Sequence, residues 1–249
     1  MNRLRPLLIA LQFLTLLPIE LRPSPEDGES GRSLRYYPLV GLLIGLVLAG
    51  CAWLCEGLSD RLSAALVLCF WVGLTGGLHL DGLADSADAW LGGYGDRERT
   101  LVIMGDPRSG PMAVVVLVLL LLLKFAALES LLSQQAVSPL VAVPLLGRTV
   151  LVALFMTTPY VRVGGLGSRL AQRMDGGARF AAMLLVALLM VFWQGWAGIS
   201  LLCVSAASFL FLRWLMLRRL GGTTGDTAGA LVELTEALSL IAAAVLWGE

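Results

Sequence analysis

The stretch MAVVVLVLLLLLKFAALES, residues 112–130, decides the fold class of this chain. Twelve apolar residues follow one another before Lys124, and a helix that crosses the bilayer core needs about 20 mostly apolar residues. The whole sequence of 249 residues has the same character, with 57% hydrophobic and 14% charged residues. So few charges cannot cover a water-soluble surface of this size, and we expect lipid to be the main solvent of the protein.

Six further stretches are apolar enough to cross a membrane. With the first they make about seven predicted transmembrane helices, at residues 39–58, 62–80, 112–130, 136–158, 179–195, 198–217 and 229–247. In the first span, Gly41, Gly45 and Gly50 form a stripe of small residues, which favours close approach of a neighbouring helix. The predicted fold is an all-α polytopic membrane helix bundle that forms a single domain over residues 1–249.

Residues 1–20 differ from the spans. They begin with Arg3 and Arg5, continue with a leucine-rich face and end near Pro18. No small-residue cleavage site follows, so the segment is not typical of a signal peptide. We predict a helix that lies along the membrane interface.

Basic residues predict the orientation, because they favour the cytoplasmic side. If the N-terminus is cytoplasmic, only Arg61 of the 18 Lys and Arg residues lies in an external linker, while Lys124 and Arg148 lie within spans. The others fall inside or near the inner ends of spans: Arg3, Arg5, Arg22, Arg32, Arg35, Arg97, Arg99, Arg108, Arg162, Arg169, Arg173, Arg179, Arg213, Arg218 and Arg219. We therefore expect a bacterial inner-membrane protein with its N-terminus and its polar loops in the cytoplasm.

An acidic motif occupies the predicted cytoplasmic loop 80–111. Asp81, Asp85 and Asp88 are spaced by four and three residues, which places three carboxylates on one face of a helix. Their mutual repulsion needs a cation or strong hydrogen-bond donors nearby, and Mg²⁺ is the hard cation that proteins commonly share with substrate phosphates. These three residues are the predicted metal ligands and catalytic residues, and the alternative is a solvated acidic face. Gly76, Gly77 and Gly82 favour function, because glycine allows close backbone approach to a phosphate.

Two further residues near this motif are candidates for substrate binding. Arg108 lies in the turn GDPRSGP, residues 105–111, and a guanidinium can clamp a phosphate with two parallel hydrogen bonds. Its alternative role is that of a positively charged anchor for the third span. His79 is the only histidine, and it is either a substrate contact or a polar cap at the end of a span.

A second motif, GGTTGDTAGALVELTEA, begins at Gly221 in the predicted loop 218–236. Glycines around Thr224 ahead of a helix start are typical of a backbone that offers its amides to an anion. Asp226 can cap the helix. Glu233 and Glu236 then share a face just inside a lipid-facing segment, where acids are usually functional.

Lys124 and Arg148 lie at similar depths within their spans, about 18 and 15 Å from the inner ends at 1.5 Å per residue. They can therefore face one cavity and attract an anionic substrate. The alternative is snorkelling, or pairing with Glu129.

The remaining composition excludes several kinds of chemistry. Cys51, Cys55, Cys69 and Cys203 lack the paired spacing of a zinc site or a disulfide framework, and one histidine cannot make a multi-histidine metal centre. A net charge of zero gives no field that would draw the chain to nucleic acid. Clustered carboxylates, glycine-rich loops and arginines without a serine or cysteine nucleophile instead indicate phosphoryl or nucleotidyl transfer by direct displacement.

The motifs GGLHLDGLADSADA, GDPRSGP and GGTTGDTAGALVELTE, with FLTLLPI near the start, resemble those of the cobalamin synthases, also called adenosylcobinamide-GDP ribazoletransferases. The resemblance covers nearly the whole chain. It implies that α-ribazole, or its 5′-phosphate, attacks adenosylcobinamide-GDP with Mg²⁺ to give adenosylcobalamin, or its 5′-phosphate, and GMP. By position, the family's motifs fall on Asp81, Asp85, Asp88, Arg108, Thr224, Asp226, Glu233 and Glu236, and Lys124 and Arg148 also fit.

The chain departs from the family pattern in one place. Gly105 stands where relatives tend to carry a basic residue, and Pro107 replaces a small polar residue. We expect Arg97 or Arg99 to substitute for the missing cation. Two rival functions stay open, a membrane enzyme like the CDP-alcohol phosphotransferases and a secondary transporter. Expected partners are membrane lipid and the two small-molecule substrates, and either a homo-oligomer or association with other enzymes of the nucleotide loop is compatible with the sequence.

Overall fold

The computed structural model describes residues 4–25, 27–162, 167, 170 and 176–247. Arg3, Arg169 and Arg173, which entered the prediction of orientation, lie outside these residues. No strand forms in the described part of the chain, where the only extended pairing is a parallel bridge between Tyr160 and Thr223. The all-α fold class predicted from the sequence is therefore confirmed.

Ten helices follow one another along the described chain. They are α1 (Arg5–Leu14), α2 (Asp27–Ser33), α3 (Tyr37–Leu54), α4 (Asp60–Thr75), α5 (Leu78–Gly92), α6 (Arg97–Met104), α7 (Pro111–Ser133), α8 (Ser138–Thr157), α9 (Gly176–Leu220) and α10 (Gly225–Trp247). A 3₁₀ turn at Leu34–Tyr36 joins α2 to α3. Helix α1 covers ten residues of the predicted interfacial segment 1–20.

Five of the described helices are long and apolar enough to cross a membrane singly, and the bent pair α4 and α5 qualifies as a sixth crossing. We take α4 as the spanning part of this pair, because α5 carries three aspartates. Helix α9 has 45 residues, about twice the length that one crossing needs. Gly195 has non-helical dihedral angles and divides it. Counting both halves gives the seven crossings predicted from the sequence.

The break at Gly195 is a hairpin turn. Gly198 packs against the backbone of Met190, although eight residues of continuous helix would separate them by about 12 Å. The ends of the two halves that lie farthest from Gly195 are on the same face of the bundle. Arg179 donates a hydrogen bond to the carbonyl of Gly31 there, and Arg97 donates one to the carbonyl of Leu220.

Glycines bring α3 against α8, as the small-residue stripe predicts. A Cβ at Gly41 would lie 2.5 Å from the carbonyl oxygen of Pro144, and one at Gly45 would lie 2.6 Å from that of Val141. Gly50 has open space beside it, so it takes no part in the contact. The close packing makes α8 the most enclosed of the candidate spans, and α8 also packs against α10.

Candidate active site

A sharp bend sets the position of the acidic motif. Gly76 and Gly77 both have left-handed backbone angles, with φ of 65° and 66°, which other residues adopt at an energetic cost. The chain therefore turns by 87° between α4 and α5. The predicted span 62–80 was wrong at its end, because α4 stops at Thr75. The two glycines serve this bend rather than contact with a phosphate.

Helix α5 packs directly against the start of α10. A Cβ at Gly82 would lie 2.7 Å from the carbonyl oxygen of Asp226, and one at Gly229 would lie 3.1 Å from the carbonyl oxygen of His79. Gly82 is thus needed for helix packing, not for the phosphate approach predicted from the sequence. The crossing of these two helices brings the first and second motifs together.

Four charged groups share the junction of α5 and α10. Asp226 forms an ion pair with Arg162 at 2.7 Å. Burial, followed by the nearby charges of Asp81 and Asp226, raises the pKa of Asp85 to about 6. Asp81 is exposed to the cavity at this junction. A carboxyl group with a raised pKa among other carboxylates indicates that a cation would be favourable here.

Asp88 has a different task from the other two aspartates of α5. Its carboxylate accepts hydrogen bonds from the backbone amides of Gly110 at 2.5 Å and Ala113 at 3.0 Å. It therefore caps the start of α7, where the first amides have no partner in the helix. No three His, Cys, Asp or Glu side chains of the described residues are arranged to hold a metal ion. The predicted set of Asp81, Asp85 and Asp88 is thus not gathered at one point.

We expect Asp88→Ala to destabilise the protein by about 1–2 kcal/mol, because two partly buried amides at the start of α7 lose their acceptor. Thermal unfolding in detergent measures the loss, and the Mg²⁺ concentration for half-maximal activity should stay unchanged. Asp88→Asn, which keeps one acceptor oxygen, should fall between the two proteins. A normal unfolding temperature together with a large rise in the Mg²⁺ requirement would instead support the predicted role of Asp88 as a metal ligand.

The glycine-rich second loop is pinned to the end of α8 rather than open to an anion. Thr223 N–H donates to the carbonyl of Pro159 at 2.8 Å, and Val161 N–H donates to the carbonyl of Thr223 at 2.9 Å. Thr224 is fully buried, and its hydroxyl accepts from the amide of Thr227 at 3.2 Å. The side chain of Thr224, a predicted substrate contact, therefore caps α10. Through these backbone hydrogen bonds, the loop positions the segment after α8 that carries Arg162.

Arg162 is a candidate site residue that the sequence did not single out, since it lines the cavity and pairs with Asp226. A Cβ at Gly105 would lie 3.3 Å from its guanidinium, so Arg162 supplies a cation beside the position where a basic residue was missing. The expected substitutes are engaged elsewhere, because Arg97 bonds the end of α9 and Arg99 lies over the ring of Tyr94. In the sequence, Arg162 stands out only as one of the basic residues in the long connection between α8 and α9. Its presence there was already explained by the preference of basic residues for the cytoplasmic side.

Arg108 forms a local pair in the structure. Its guanidinium donates three hydrogen bonds to Asp106, two from Nε at 2.9 and 3.2 Å and one from a terminal nitrogen at 2.6 Å. These bonds hold the pKa of the Asp106 carboxyl at about 2. The side chain of Arg108 is 86% exposed and does not line the cavity. A clamp on phosphate would require it to leave Asp106.

The four charged residues predicted to bind substrate within the membrane instead neutralise one another. Lys124 lies 2.6 Å from Glu233 and 2.9 Å from Glu236. Arg148 pairs with the other oxygen of Glu236. All four are buried and none lines the cavity. Glu129, the alternative partner considered for the two cations, pairs with Arg61.

A cavity of about 210 Å³ opens where α5, α8 and α10 meet. Its polar end contains Asp81, Asp226 and Arg162. His79 also lines it and is 4% exposed, and its Nδ1 has no hydrogen-bond partner among the described residues. Of the predicted site residues, the cavity thus contains Asp81, Asp226 and His79.

The polar end suits a magnesium ion. Mg²⁺ prefers oxygen ligands, keeps several waters and commonly takes only one or two carboxylates, with substrate phosphates completing its shell. Asp81 and Asp226 offer two carboxylates at the cavity, and burial together with these two charges raises the pKa of the neighbouring Asp85. The donors present therefore fit this ion in its usual shared mode, and not as a cage of three aspartates.

Comparison with known proteins gives one consistent result. Residues 6–244 match the model of a family described as cobalamin-5-phosphate synthase. An adenosylcobinamide-GDP ribazoletransferase of Pseudomonas savastanoi pv. phaseolicola is 55% identical over 97% of this chain and 99% of its own length. The protein of the same name from Stutzerimonas stutzeri is 56% identical over 98% of this chain and 99% of its own length. That of Pseudomonas putida is 58% identical over 93% of this chain and 95% of its own length. No solved structure matches the chain.

Proposed function

This chain belongs to the cobalamin-5-phosphate synthase family, and we propose that it joins adenosylcobinamide-GDP to α-ribazole with the release of GMP. It is an enzyme of cobalamin assembly, as the name of its relatives states. α-Ribazole 5′-phosphate is the other acceptor, which the description of the family favours. The product is adenosylcobalamin or its 5′-phosphate.

The meeting of α5 with the start of α10 carries this proposal. It places two carboxylates, an arginine and a histidine at one cavity, and phosphoryl transfer requires chiefly the positioning of substrates and the neutralisation of charge. A ribose hydroxyl of the acceptor attacks the phosphorus that bears the cobinamide. The bond from that phosphorus to the bridging oxygen breaks, and GMP leaves.

Each polar group of the cavity has a task in this scheme. Asp81 and Asp226 would hold Mg²⁺, which when bound supplies positive charge to the pyrophosphate. Arg162, which pairs with Asp226, offers the rest of its guanidinium to the phosphate oxygens. His79 lines the cavity two residues before Asp81 and would help to position the acceptor. A carboxylate oxygen of the Asp81 and Asp85 pair accepts the proton of that hydroxyl.

The site lies at the cytoplasmic face of the bacterial inner membrane in this proposal. Seven crossings bring α1, α5, α6, the end of α8 and the start of α10 to one face of the bundle. Most basic residues belong to the same face, which favours the cytoplasm. Nucleotide substrates are also met there.

The decisive assay uses purified protein in liposomes with adenosylcobinamide-GDP, α-ribazole and Mg²⁺. We expect GMP and a new corrinoid in equal amounts, and neither product when the acceptor or Mg²⁺ is omitted. CDP-alcohol consumption without use of the corrinoid would support the phosphotransferase alternative. Movement of the corrinoid into the liposome without GMP would support a transporter, and either result would overturn the proposal.

A further inference from the structure

One part of the cavity lining is aromatic and apolar, and it is called the aromatic end. Phe13 from α1, Tyr37 from α3 and Phe155 from α8 line it together with Leu78, Leu151 and Leu170. The rings of Phe13 and Tyr37 are stacked with centroids 6.2 Å apart, and those of Phe155 and Tyr160 are 6.3 Å apart. Several separate segments thus contribute flat apolar surfaces to one space that also holds Asp81 and Asp226.

We propose that this aromatic end is the binding site for the planar base of the acceptor nucleoside. The inference rests on the proposed function, and it assigns the base and the ribose of α-ribazole to different parts of the cavity. The base lies against Phe13 and Phe155, since aromatic rings offer it a large contact area with preferred geometry. The ribose then lies toward His79 and Asp81, where its hydroxyls meet polar partners.

The chemistry of the lining favours the acceptor's base over the guanine of the other substrate. Guanine carries several hydrogen-bonding groups on its edge, and each group that is buried without a partner costs free energy. The aromatic end offers leucines, phenylalanines and the phenol of Tyr37. 5,6-Dimethylbenzimidazole, the base of α-ribazole, has an apolar edge with two methyl groups. It loses little by entering such a pocket.

His79 gives a second and independent indication of a ligand. Its ring is buried, lines the cavity and leaves Nδ1 without a partner among the described residues. Burial of an unpaired nitrogen is unfavourable unless a ligand or water completes its hydrogen bond. His79 precedes Asp81 by two residues on α5, so a ribose between them would reach the carboxylates.

The test uses 5,6-dimethylbenzimidazole and guanosine as inhibitors of GMP release by the whole protein in liposomes. We expect the benzimidazole to compete with α-ribazole but not with adenosylcobinamide-GDP. Phe13→Ala should raise the KM for α-ribazole and the inhibition constant of the benzimidazole each about tenfold. The KM for adenosylcobinamide-GDP should change less than about twofold.

Phe192→Ala is the matched control, because Phe192 is 85% exposed on α9 and distant in the chain from the cavity. Phe13→Trp, which keeps an aromatic face, should restore most of the affinity that Phe13→Leu loses. Competition of the benzimidazole with the corrinoid substrate, or a KM effect of Phe13→Ala confined to that substrate, would overturn the inference.

A failure of the proposed function would look different. Equilibrium dialysis of radiolabelled 5,6-dimethylbenzimidazole against the protein measures occupancy of the pocket without any turnover. If wild-type protein releases no GMP, the proposed function fails, while binding that depends on Phe13 still supports an aromatic ligand site. GMP release at a normal rate with no dependence on Phe13 refutes the pocket assignment and leaves the function standing.

Discussion

Asp81→Asn is expected to lower the rate of GMP release by about 10³-fold or more, which corresponds to about 4 kcal/mol of transition-state stabilisation. The substitution preserves the size of the side chain and removes its charge. Asp81 is the carboxylate of α5 that is exposed to the cavity, so its loss weakens both the site for Mg²⁺ and the acceptance of the hydroxyl proton. Initial rates of GMP release over a range of Mg²⁺ concentrations measure the effect.

Asp60→Asn is the control for this experiment, because Asp60 is an exposed aspartate in the first turn of α4, at the opposite end of that helix from the bend. It should retain wild-type turnover. We expect Asp85→Asn to lose activity as well, since Asp85 shares the charge of the cluster. Both active-site variants should insert and accumulate normally. Wild-type turnover by Asp81→Asn would remove the assignment of the metal site and of the reaction centre together.

The positions of the spans could be predicted because hydropathy is a local property of the sequence. All seven stretches fall on helices of the structure. The bend at Gly76 and Gly77 was missed because apolar residues continue through Leu80. Two adjacent glycines permit left-handed angles without requiring them, and contacts with the rest of the bundle decide whether they are used. The error shifted the predicted start of the helix that carries the acidic motif, but it did not change which residues the motif contains.

The acidic motif shows the limit of helical periodicity. Spacings of four and three residues place Asp81, Asp85 and Asp88 on one face, and all three do lie on α5. Seven residues, however, separate the first from the last by about 10.5 Å along the axis. One ion cannot bridge that length, and Asp88 meets the start of α7 instead. Asp226, the second carboxylate at the cavity, lies 145 residues after Asp81 in the chain, so no local pattern could show that the two meet.

Depth within the membrane would have paired the buried charges correctly. Lys124 lies 13 residues from the start of α7, and Glu233 and Glu236 lie 8 and 11 residues from the start of α10, on helices that begin at the same face. At 1.5 Å per residue these depths are about 20, 12 and 17 Å. When the depths of Lys124 and Arg148 are compared only with each other, they predict a site for an anionic substrate. When these depths are compared with those of Glu233 and Glu236, they predict that the four charges neutralise one another.

Glu236→Gln is expected to destabilise the protein by about 3–5 kcal/mol, because it breaks a buried ion network by removing one partner. Glu236 accepts from both Lys124 and Arg148, and all three side chains are less than 5% exposed. Arg148 depends on this acid, since a terminal nitrogen of its guanidinium donates to Glu236 and its Nε has no hydrogen-bond partner in the described part of the chain. The unfolding temperature in detergent and the amount of protein inserted in the membrane measure the loss.

Two further variants separate a structural role of this network from a role in substrate binding. Glu129→Gln breaks the exposed pair with Arg61 and should cost less than about 1 kcal/mol. The double variant Arg148→Met with Glu236→Met leaves Lys124 and Glu233 balanced, so it should be more stable than Glu236→Gln. If Glu236→Gln instead kept full stability and raised the KM for adenosylcobinamide-GDP, the four charges would serve the anionic substrate. An equal number of buried acids and bases argues against that outcome, because a network that is already neutral has no charge left to attract a pyrophosphate.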